Sequence, residues 1–166
     1  MVIVLFYKWR IIMPAAGQAQ PDAMPLLRMR MDDVIILEPG LGSTSIVEVG
    51  TPVSIRLDCG FDGMLAGLVS GQRMNVFHHV QNVETGANKA LNGGNFIVPP
   101  PATASHINHT SGPYTTGGPG SGEDFEIPSG SASGTFRILT HIHPDSASVA
   151  SVISAFHDGL VIQVIP

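Results

Sequence analysis

Charge is the scarcest feature of this sequence. Asp, Glu, Lys and Arg make up 13% of its 166 residues, about half the share of roughly 25% usual in a soluble domain. Such a surface is covered by Ser, Thr, Asn and Gly, or buried against other subunits. Cysteine is nearly absent. Cys59 stands alone, which rules out an intrachain disulfide and a Cys-based zinc site and leaves a small buried hydrophobe as its expected role. Aromatic residues amount to 6% and are scattered, too thin for a base-stacking platform, and no clear nucleic-acid partner is expected. The run 1–13, MVIVLFYKWRIIM, is too short to span a bilayer as a helix, which takes about 20 apolar residues. Its positive charges follow the apolar stretch, so it makes no convincing signal peptide. No compartment is fixed, with an extracellular or assembled-particle setting favoured.

What is abundant points to strands and turns. Hydrophobic residues reach 43%, mean hydropathy is +0.24, and there are 19 Gly and 13 Pro. Enough apolar material for a core, divided by many turns, predicts short strands over long helices. The net charge of −5 is uneven. Residues 1–31 hold Lys8, Arg10, Arg28 and Arg30 against Asp22, a surplus of +3, and the remainder stands at −8. Residues 1–30 therefore read as an apolar, basic arm and linker, with a β-sandwich domain over 31–166.

Within the body, alternation is the main signal. Strands are expected at 33–38, 45–49, 52–57, 73–83, 95–98, 123–127 and 134–143. A short strand or a loop crossing is expected at 64–69, and loops at 84–94 and 102–122. The Asp158-Gly159 pair, followed by LVIQVI, predicts a hairpin joining a strand at 149–156 to one at 160–165. Together these make an antiparallel Greek-key β-sandwich of about seven to nine short strands.

The clearest strand, GTFRILTHIHPD at 134–145, carries the sequence's His-x-His pair. Alternating strand geometry places His141 and His143 on one face. Neutral imidazole is a common ligand of copper and zinc. The candidate metal ligands are therefore His141 and His143, joined by His78 or His79 from strand 73–83, or by His106 or His109 from the following loop. THIHPD also looks like the T-H-x-H-x-D-H signature of metallo-β-lactamases, but Ser146 stands where that signature has its last His. That family is therefore rejected.

A second resemblance covers more of the chain. VEVGTPVSI at 47–55, GTFRILTHIHP at 134–144 and the final strand at 159–164 resemble the ends of cupredoxin-like and immunoglobulin-like domains. The resemblance implies a related sandwich topology. Thr140 occupies the place of the copper thiolate and no axial Met follows, so a blue-copper centre is excluded and a His-only copper or zinc site is what it implies.

Other chemistries lack their motifs. There is no G-x-S-x-G elbow, no calcium loop around Glu123, Asp124 and Glu126, and no Lys after the glycines of 117–122 to hold a phosphate. The expected function is non-catalytic: a structural or interaction sandwich forming homo-oligomers through its N-terminal arm and sheet edges, in a particle, fibre or surface layer. The alternatives are a His-based metal-binding protein or small oxidoreductase, and a carbohydrate-binding sandwich using Tyr114 in loop 102–122.

Overall fold

The computed structural model describes residues 27–101, 103–116, 133–145 and 153–166. These residues form nine strands in two sheets, with strand the dominant conformation and no α-helix among them. The strands are β1 (Arg28–Glu38), β2 (Gly42–Thr44), β3 (Ile46–Glu48), β4 (Pro52–Asp62), β5 (Arg73–Asn82), β6 (Asn88–Ile97), β7 (Ile107–Thr115), β8 (Gly134–Pro144) and β9 (Ala155–Ile165). One sheet has the order β2-β1-β4-β7 and the other β3-β9-β8-β5-β6. All pairings are antiparallel except β3 with β9.

Period-two alternation produces the core directly. In β4, Val53, Ile55, Leu57 and Cys59 point inward, while Arg56 faces solvent. In β8, Phe136, Ile138, Thr140 and Ile142 point inward. With Val76 and Val80 of β5 and Ile162 and Val164 of β9, they fill the space between the sheets. Cys59 is buried as expected, and burial pushes its thiol up to about 12.

Three expectations change. The loop expected at 84–94 contains most of β6, because Asn92-Gly93-Gly94 is a bulge in the ladder and not a turn. Asn75 pairs with Asn95 and Phe77 with Asn92, so two residues of β6 oppose Val76 alone. A Cβ on Gly93 would lie 2.6 Å from Val76 Cγ1 and 2.7 Å from its carbonyl oxygen, so the approach needs glycine. The loop expected at 102–122 contains β7, whose inward residues include His109 and Ser111 and therefore do not look like core in the sequence.

Asp158-Gly159 is likewise a bulge. β9 runs through it without reversing, and the register against β8 shifts between Ile138 and Leu139. A bulge uses the same Gly chemistry as a hairpin turn, and residues on both sides of it find partners on β8. The strand expected at 45–49 is present as Ile46–Glu48, which joins β9 in parallel, while the preceding β2 ends at Thr44 in the other sheet. The segment 64–69 is a crossing that includes a short 3-10 turn, Ala66–Val69. The strand expected at 123–127 and most of 149–156 lie outside the described residues.

The basic surplus assigned to the arm also changes. β1 begins at Arg28, and Arg28 and Arg30 both pair with Asp62, with Asp32 3.4 Å from Arg30. Two of the four cations are thus neutralised within the sandwich. Residues 1–26 retain Lys8 and Arg10 against Asp22, a surplus of +1.

Candidate functional site: the outer face of the five-stranded sheet

The outward residues of β5, β8 and β9 come together in an imidazole and aromatic cluster. Antiparallel register puts Phe77 opposite His141, His79 opposite Leu139, and His141 opposite Phe156. The His143 ring stacks on Phe77 with centres 5.3 Å apart and planes within 8°. His141 meets His143 at 5.3 Å and the edge of Phe156 at 6.4 Å. Partial burial, then His143, then His79 lower the pKa of His141 below the ordinary histidine value. Each group penalises the imidazolium form, so His141 is neutral near pH 7.

His143 has a fixed tautomer. Its Nδ1 lies 2.8 Å from the Pro144 carbonyl oxygen. A carbonyl only accepts, so Nδ1 carries the hydrogen and Nε2 presents a lone pair. Beside the cluster is a groove of about 340 Å³ lined by His79, Gln81, Asn88, Arg137, Leu139 and Asp158. Arg137 and Asp158 close it with a two-pronged ion pair.

The sequence candidates separate here. His79, His141 and His143 share the outer face. His78 does not join them: it is fully buried between the sheets, with both ring nitrogens engaged. Ser111 Oγ donates its one proton to Ile55 O at 3.1 Å. His78 Nε2, 2.7 Å from Ser111 Oγ, therefore carries a hydrogen and donates it. Nδ1 then accepts from the Thr140 hydroxyl at 2.8 Å. The chain Thr140–His78–Ser111–Ile55 pins one sheet to the other and leaves no lone pair for a metal. Desolvation, with smaller effects of His109 and His79, lowers the His78 pKa to about 4.

The loop histidines diverge as well. His106 is exposed. His109 donates from Nε2 to Gly93 O at 2.6 Å and leans on Phe96. Tyr114 donates its hydroxyl to Asn92 O at 2.7 Å. Two β7 side chains thereby hold the β6 bulge across the open edge of the sandwich. Among the residues lining a polar cleft of about 360 Å³ there are Asn95, His109 and Pro113. Tyr114 is 1% exposed, so it presents no ring for a sugar to stack on, and the carbohydrate expectation loses its platform.

Among the described residues no group of three or more His, Cys, Asp or Glu converges on a point. Nor is any helix among them long and apolar enough to cross a membrane. Sequence reading placed His79, His141 and His143 on faces correctly. It missed the inter-sheet pin, since Ser111 and Thr140 carry no signal beyond one polar residue at an inward position. The class defined by frame and face is a two-sheet β-sandwich with an imidazole–aromatic outer surface. No family model and no curated protein matches the chain.

Proposed function

We propose that this protein is a structural or interaction β-sandwich that associates with further copies of itself into a larger particle, fibre or surface layer. The observation that carries this reading is the outer face of the five-stranded sheet. Phe156 is 63% exposed there and Val161 47%, beside Phe77 and the imidazole side chains of His79, His141 and His143. The face carries little net charge, Arg73 and Arg137 standing against Asp145 and Asp158 with Glu48 at its β3 edge, on a body whose residues 27–166 sum to −6. A weakly charged apolar patch on an acidic body suits a second copy of the same patch, because a two-fold contact is self-complementary.

Two further features support the reading. β2, β3, β6 and β7 each have one strand neighbour among the described residues, and such edges accept an added strand. Residues 2–7, VIVLFY, have the composition of a strand-adding segment. The division of β1, β4 and β7 from β5, β8 and β9 supports an immunoglobulin-like or cupredoxin-like connectivity. It matches the separation of strands A, B and E from C, F and G in immunoglobulin domains.

Light scattering on the full-length protein tests the assignment. The wild-type chain is expected to be multimeric at micromolar concentration, and Phe156→Asp with Val161→Asp to shift it to the mass of one chain. Deleting residues 1–26 is expected to reduce assembly further. A wild-type chain of 17.5 kDa at all accessible concentrations would refute the reading.

A further inference from the structure

We propose that His141 and His143 form a two-nitrogen chelate on the outer sheet face for a divalent transition-metal ion of the zinc or copper kind. The spacing fits. Two imidazoles holding one ion tetrahedrally at about 2.1 Å have ring centres roughly 5 Å apart, and these rings stand 5.3 Å apart. The tautomer fits too. A metal-binding His almost always donates its other ring N–H to a carbonyl or carboxylate, which fixes the ring and raises its basicity. His143 does this with Pro144 O at 2.8 Å, leaving Nε2 for the ion.

Both rings are held before any ion arrives. Phe77 stacks flat on His143 and Phe156 abuts His141 edge-on. Their strand is central in its sheet, between β5 and β9. Such a pair loses little side-chain freedom on binding, as a preorganised site should. His141 has no hydrogen-bond partner among the described residues, so either nitrogen is available.

The chelate has two protein ligands, since no third acidic, thiol or imidazole group converges with them among the described residues. Water completes the shell, and the ion exchanges freely. Hard ions such as Mg²⁺, which prefer oxygen ligands, are excluded by the donor chemistry. The chelate lies on the face assigned to self-association, but a single chain carries both ligands, so the two readings fail separately.

The test is a Zn²⁺ titration of tag-free, full-length protein at pH 7.5. Calorimetry gives affinity, and the histidine ring signals are followed by NMR. The His141 and His143 signals are expected to move first, and Mg²⁺ to leave them unchanged. His141→Ala and His143→Ala are each expected to weaken Zn²⁺ binding at least tenfold, and His106→Ala to leave it unchanged, with circular dichroism confirming the fold. If a variant does not fold, the ring signals of the wild-type chain decide alone. Ring signals unmoved by millimolar Zn²⁺, or folded variants that bind as tightly as the wild type, would overturn the proposal.

Discussion

His78 shows how one buried side chain sets an acid limit on the whole sandwich. In the unfolded chain it takes up a proton near the ordinary histidine value of about 6.5. In the fold, desolvation lowers that point to about 4. Between the two values the unfolded state holds the extra proton. Stability contributed by neutral His78 is therefore complete above pH 6.5, falls as pH drops through the window, and levels off near pH 4. The loss is about 3 kcal/mol from the width of that window, and the lowered His141 adds to it with the same sign. Urea midpoints at pH 7.5, 5.5 and 4.5 are expected to fall in that order, and His78→Gln to flatten the trend. A wild-type midpoint that does not move with pH would contradict this account of the pin. The inward position of His78 was legible from alternation with Met74, Val76 and Val80. Its partners were not, because Ser111 sits in a segment that reads as loop, and a hydroxyl seldom announces a buried hydrogen bond.

At the level of elements, β9 separates what the sequence displayed from what it hid. Residues 160–165 read as a strand, and they are one. Asp158-Gly159 read as the turn before it, but the strand continues through. Two-residue turns and bulges draw on the same flexible backbone, and only the partner strand distinguishes them. Here β8 pairs with Ala155–Asp158 on one side of the bulge and with Leu160–Val164 on the other. Deleting Gly159 tests this. Gly159 is the one residue there without a partner on β8, so its removal leaves Asp158 opposite Leu139 and Leu160 opposite Ile138 in one regular ladder, with Ile162 and Val164 still inward. The deletion variant is expected to keep its cooperative unfolding transition. If residues 158–159 formed a two-residue hairpin tip, removing half of the turn would disrupt the pairing of the strands beside it. β6 teaches the same lesson, with Gly93-Gly94 hidden inside a strand. β7 was hidden differently, by inward His109 and Ser111 among Gly, Pro and Thr.

For the molecule as a whole, the two-sheet architecture was the most legible feature. Turn residues at short intervals and several alternating runs suffice for it. Strand order was not legible, because pairing across 70 residues leaves no local mark. Charge distribution leads to a further expectation. Bodies at −6 repel one another at long range, while the weakly charged outer face offers little repulsion at contact. Repulsion is screened within about 10 Å at 0.1 M salt. Raising salt from about 0.02 to 0.15 M is therefore expected to increase the sedimenting mass of the full-length protein. A decrease would show that the contacts are mainly ionic.

The parallel pairing of β3 with β9 bears on how the chain reaches its fold during synthesis. Ile46–Glu48 leaves the ribosome early, yet its partner residues are Gln163–Ile165. β8 likewise gains its second neighbour only when β9 is made. The four-stranded sheet closes once residue 115 has emerged, but the other sheet waits for nearly fifty residues more. Through that interval Val47, Val76 and Ile138, all destined for the core, have no completed sheet to cover them. Contacts this distant along the chain slow folding, and the nascent sandwich depends on its last strand more than on any other.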